Sequence, residues 1–87
     1  MKVSNMISAS GNSVANQFVV EWSGNRSFHS YDSNIVQISS NGSVALDRDN
    51  WNYSRTTSKY RNQFLNETTV ATQAKIDSGE YVLADLN

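Results

Sequence analysis

The sequence predicts a small α+β fold: an antiparallel β-meander of about four strands, packed by one or two short helices and followed by a C-terminal strand. Three observations carry this reading. Phe18, Val20 and Trp22 recur at every second position between Gln17 and Trp22, the alternation that a half-buried strand requires. Asn41-Gly42 separates two runs of strand-forming residues, and that dipeptide is a strong short-range hairpin signal. From Tyr53 to Phe64 the apolar period lengthens to that of a helix.

Along the chain, residues 1–15 are small and polar with scattered Val3, Met6, Ile7 and Val14, and read as a loose N-terminal arm with at most a short edge strand and a turn at Gly11-Asn12. Residues 16–87 then form one α+β domain. In its first strand Phe18, Val20 and Trp22 share one face while Val19 and Glu21 share the other. Ser23-Gly24-Asn25 supplies residues that tolerate positive φ, and Arg26 to Tyr31 resumes an extended pattern, so residues 17–31 read as a hairpin. Asp32-Ser33 breaks that run. Asn34 to Ser39, with β-branched Ile35, Val36 and Ile38, pairs across Asn41-Gly42 with Ser43 to Leu46 as a second hairpin.

After the polar turn at Asp47 to Asn50, Tyr53, Thr57, Tyr60 and Phe64 fall within about 60° of one another on a helical wheel. Ser54 is the natural N-cap of the run RTTSKYRNQFL, which places Arg55, Lys59 and Asn62 opposite that stripe and Arg61 between the two faces. Asn66 can cap a second helix over ETTVATQAKIDS, clustering Val70, Ala71 and Ala74, with Gly79 at its end. Glu80 to Leu86 alternates again and reads as a returning strand.

Composition narrows the function classes. A chain of 87 residues buries only roughly 60–65% of its unfolded surface, so the core is thin. Nine aromatic side chains, Trp22 and Trp51 among them, nevertheless favour a folded domain. With no cysteine, disulfides and thiolate metal sites are excluded. No apolar stretch approaches the roughly 20 residues of a membrane span. A soluble, unprocessed, cytoplasmic protein is expected, without a membrane partner. The formal charge of −1 argues against a bulk electrostatic footprint for nucleic acid, and equally against an acidic mimic of a phosphate backbone.

Catalytic chemistry has few candidates. His29 is the only histidine and stands in mid-strand, where it reads as a surface or hydrogen-bonded strand residue. Asp47 and Asp49 would face one way on a continued strand, but they flank Arg48 in a polar turn, where solvated Asp is common. No phosphate-binding loop, nucleophile elbow or zinc-protease motif is present. A non-enzymatic protein with no cofactor and no metal is expected.

The binding signal is concentrated in WNYSRTTSKYRNQFL, residues 51–65. Arg55, Lys59 and Arg61 could meet phosphates or an acidic protein patch while Trp51 or Tyr53 stacks on a base. The same run also describes an ordinary amphipathic helix with solvated charges. The basic residues Lys2, Arg26, Arg48 and Lys75 are scattered elsewhere.

Two runs carry a family resemblance: Phe28-x-Ser30-Tyr31-x-Ser33-x-Ile35, and Trp51-x-Tyr53-Ser54-x-Thr56-Thr57-x-Lys59-Tyr60-Arg61-Asn62-x-Phe64-Leu65. Across residues 16–86 the chain resembles a domain of unknown function found in small bacteriophage and prophage proteins. The resemblance implies a viral origin and, by analogy with other small phage proteins, an inhibitor or modulator of a host protein complex, of anti-defence or anti-CRISPR type. Contacts to that host protein are expected from Arg55, Lys59 and Asn62, with Arg26 and His29 on the strands. One alternative is a single-stranded nucleic-acid binder using Arg55, Lys59, Arg61 and Trp51. Another is a homo-oligomeric assembly protein, for instance a homodimer, because a meander has edge strands to pair.

Overall fold

A computed structural model describes all residues from Met1 to Asn87. Its elements run β1 (Lys2–Ile7), β2 (Ser13–Trp22), β3 (Asn25–Ser30), β4 (Ser33–Ile38), β5 (Val44–Asp47), α1 (Arg55–Leu65), α2 (Thr69–Asp77) and β6 (Tyr81–Ala84). The strands form one six-stranded sheet in chain order. Neighbours from β1 to β5 are antiparallel, whereas β6 is parallel to β5. Antiparallel neighbours close through tight turns, but a parallel pair needs a long crossover. Here α1 and α2 supply it.

The turns follow from residues that accept positive φ. Ser23 (φ 46°) and Gly24 (φ 82°) form the two-residue β2–β3 loop, and positive φ at both positions matches the right-handed twist of the flanking strands. Between β4 and β5, Ser39 N–H donates to Ser43 O and Gly42 N–H to Ser39 O, with Gly42 at φ 89°. This is the three-residue hairpin in which glycine takes the left-handed position.

Two features of the sheet depart from expectation. It has six strands and mixed pairing where about four antiparallel ones were expected; the expected meander is β2 to β5. Residues 1–15, expected as a loose arm with at most a short edge strand, contain the edge strand β1 and the start of β2. Val3 pairs with Val20 and Asn5 with Phe18, and Met6 is buried in the core. An edge strand buries little: of Val3, Met6 and Ile7 only Met6 is buried, and their spacing in β1 shows no alternation. The predicted C-terminal strand is present as β6.

Helix α1 has the predicted residues and the predicted cap: Ser54 Oγ accepts from Thr57 N–H at 3.1 Å. It ends where Asn66 turns left-handed at φ 56°, so Asn66 terminates α1 and does not cap α2. That role falls to Thr68, whose Oγ1 accepts from Ala71 N–H at 3.1 Å. The expected apolar face of α2 is also different. Thr72 is buried and Ile76 packs on the core, while Val70 is 80% exposed. At 100° per residue Val70 lies roughly 160° from Thr72, so both cannot face the sheet.

Both helices cover a single face of the sheet. Beneath them Phe28, Val36 and Leu46 meet Tyr60 and Phe64 from α1, with Tyr81 closing the β6 side. The Phe28 and Phe64 rings stack with centroids 5.9 Å apart. Complete burial of Phe28, Ile35, Val36 and Leu46 contributes roughly 1.5–3 kcal/mol for each side chain. Past β6, Leu86 N–H donates to Asp47 Oδ1, and the Asn87 side chain bonds the backbone N–H and C=O of Asn34. The C-terminal segment is thereby tied to β4 and β5.

Candidate functional site

Alternation along a strand sends successive side chains to opposite faces, and the helices reveal which set is covered. Arg26 lies 4.9 Å from the Phe64 ring centroid, Phe28 stacks on Phe64, and Ser30 bonds Thr57. These β3 residues face the helices, so Ser27 and His29 face away. The β2 partners of Ser27 and His29 are Val20 and Phe18. The apolar set Phe18, Val20 and Trp22 thus stands on the face that no helix covers.

On that open face a shallow groove of about 400 Å³ is lined on one side by Val3, Val20 and Trp22, with Met1 at its margin. The other side presents Ser27, His29, Asn34 and Gln37. Val3 is 59% exposed, whereas Val20 and Trp22 are half-buried by lateral neighbours alone. The polar side is uncharged in character. His29 Nε2 is 2.9 Å from Ser27 Oγ, and burial lowers the imidazole pKa below its ordinary value, favouring the neutral ring. The groove therefore combines an apolar strip with neutral hydrogen-bonding groups.

The residues expected to bind are divided among separate parts of the molecule. Arg55 and Lys59 are exposed on the outer side of α1, with Lys59 Nζ 5.3 Å from the Tyr60 ring centroid. Arg26 lies on the helix-covered side of β3 and His29 on the open side. Trp51, Arg61 and Asn62 do come together, but as an internal knot. Arg61 is completely buried; its guanidinium donates to Trp51 O, Asn52 Oδ1, Asn62 Oδ1 and Thr69 Oγ1 and lies 5.0 Å from the Trp51 ring centroid.

Arg61 as a partner contact is accordingly corrected: its position between the helix faces turns it inward, where it joins the loop before α1 to α1 and α2. Burial lowers its pKa, opposed by the nearby Glu67 charge. The expected outward Asn62 is half-buried, its side chain occupied by Arg61 and Thr69. Asp47 and Asp49 also part company. Asp49 is exposed, while Asp47 is buried and accepts from Leu86 N–H and Asn50 N–H, both at 2.9 Å. Burial pushes the Asp47 carboxyl up, but the hydrogen bonds from Leu86, Asn87, Asn50 and Asp49 outweigh it and hold the pKa below its ordinary value.

Val3, Val20, Trp22, Asn34 and Gln37 were not among the expected site residues. Their signal is the imbalance between a sheet with two faces and two short helices able to cover only one. Alternation alone does not say which face of β2 is left open.

The fold and its open face define a small α+β domain with a two-layer, one-sided architecture. The chain belongs to a family of unknown function (DUF8033), whose model matches residues 1–80. The match includes β1, beyond the region that carried the sequence resemblance. No curated protein and no solved structure matches the chain. No helix is long and apolar enough to cross a membrane.

Proposed function

We infer that this family member is a non-catalytic protein-binding module that docks through the open face of its sheet. The observation that carries the reading is the placement of Phe18, Val20 and Trp22 on the uncovered face, beside Val3 and the neutral groups of His29, Asn34 and Gln37. Apolar and aromatic anchors beside satisfiable polar groups are what a protein interface concentrates near its centre. The resemblance of the central motifs extends the reading to a phage-encoded cytoplasmic protein that modulates a host complex by occupying one of its surfaces, as anti-defence proteins do. Asp47, the one buried aspartate, is engaged by backbone amides, which suits structural use better than acid–base chemistry.

Single-stranded nucleic acid is the less favoured ligand. It requires aromatic rings and cations along one groove, yet the open-face aromatics and the exposed Arg55 and Lys59 lie on opposite sides of the sheet. Trp51 is engaged with Arg61.

The test is capture from bacterial lysate by the tagged protein, with and without nuclease, in wild-type, Trp22→Ser and Arg55→Glu/Lys59→Glu forms. Retention of a protein that survives nuclease and drops at least tenfold in Trp22→Ser is expected. Retention abolished by nuclease, or lost only in the Arg55/Lys59 form, overturns the reading.

A further inference from the structure

We propose that the protein covering the open face is a second copy of this chain, making the molecule a homodimer of two sheets packed face to face. This rests on the reading of that face as a protein-docking surface and makes a second copy, in place of a host protein, its occupant.

Charge is the first support. A two-fold dimer presents each patch to itself, so like charges on the patch meet like charges. Along β1 to β4, Lys2, Glu21 and Arg26 all belong to the helix-covered alternation set, in register with one another. The open-face set from the same strands contains no Lys, Arg, Asp or Glu, and burial favours the neutral form of His29. A partner selected by opposite charge would find nothing to read there, whereas a second copy meets no repulsion.

The extent of the face sets the size of the contact. The molecule measures 35 × 29 × 21 Å. A ten-residue strand such as β2 spans about 33 Å, and six strands span about 24 Å between the outer axes. The sheet thus lies along the two longer dimensions, leaving the shortest for one sheet and one helix layer. The six strands hold 36 residues, roughly 570 Å² of sheet at about 3.3 × 4.8 Å per residue, so the turns at its rim join the contact if it is to reach the roughly 800 Å² per partner of a standard stable interface.

The apolar strip also has a centre suited to self-packing. Phe18, Val20 and Trp22 run along β2, so a two-fold axis beside Val20 sets each Val20 against its copy and brings Trp22 toward the partner's Phe18. Two sheets packed in this way lie about 10 Å apart and interdigitate their inner side chains. The helix layers remain outward on both sides, with Arg55 and Lys59 free for other contacts.

Sedimentation equilibrium of the purified full chain over a micromolar concentration series tests the inference. A mass of twice 9.7 kDa is expected, falling to monomer in Val20→Lys with the far-ultraviolet circular dichroism unchanged. A monomer throughout, or a dimer that a folded Val20→Lys leaves intact, overturns it. Should Val20→Lys not fold, oxidation of Val20→Cys decides, because the natural chain has no cysteine: a covalent dimer supports the interface and its absence overturns it. A monomer whose lysate capture still depends on Trp22 would sink the dimer while leaving the docking reading standing.

Discussion

Asp47 shows how one side chain joins distant parts of the chain. Its oxygens receive amides from Asn50, just beyond β5, and from Leu86, beyond β6. A carboxylate whose folded pKa lies below the ordinary 3.8 stabilises the fold above that value and loses its effect as pH falls through the folded pKa. Asp47→Asn exposes an amide to groups that themselves donate, and is expected to cost about 2–3 kcal/mol at pH 7. The gap from wild type should begin to narrow as pH falls below 3.8, where the unfolded chain's carboxyl takes up a proton first, and should close as the native carboxyl follows at its lower pKa. Urea midpoints at pH 7 and pH 3 check this, and an equal gap at both would contradict the assignment. Arg61 is the cationic counterpart: four oxygen acceptors and the Trp51 ring hold a guanidinium with no carboxylate within the ion-pair distance. The one ion pair, Lys75 with Glu67 at 3.2 Å, lies beside the hydrogen bond from Tyr81 to Glu67.

At the level of elements, what was legible followed local rules. Ser54 capping α1, glycine in the hairpins and alternation in β2 depend on a few adjacent residues, and each occurs where those rules place it. Asn66 misled because one residue type serves both helix ends: Asn is a good N-cap and also tolerates the left-handed conformation. Strand β1 was hard to read because one of its edges makes no sheet contact, so selection for apolar residues is weak there. Gly24 illustrates how little freedom a turn allows. At φ 82° an added Cβ is strained, and it would approach Ser40 Cβ to 3.2 Å. Gly24→Ala is expected to destabilise the fold by about 1–2 kcal/mol, seen as a lower urea midpoint with an unchanged slope; an unchanged midpoint would show that the β2–β3 turn relaxes at no cost.

For the whole molecule, the class was legible but the sidedness was not. Counting helices indicates that one sheet face is open, yet the assignment of Phe18, Val20 and Trp22 to that face depends on where the β5–β6 crossover packs, a non-local choice. The same crossover scattered the expected binding residues, setting Arg55 and Lys59 on the far side of the sheet from His29. It also makes β6 integral to the fold, because Tyr81 closes the core and the following amides hold Asp47 and Asn34. Deletion of residues 80–87 should abolish the cooperative thermal transition in near-ultraviolet circular dichroism. A truncated chain melting within a few degrees of the full one would reduce β6 to an ornament.

The parallel pairing of β5 and β6 also imposes an order in time. Strands β1 to β5 precede the helices in synthesis and make only local antiparallel contacts, which form fast. Residues 48–80 must follow before the partner of β5 arrives, about 2–7 s at elongation rates of roughly 5–20 residues per second. Until β6 docks, the outer rim of β5 is an unpaired template beside an uncovered apolar sheet, open to pairing with another copy of the chain.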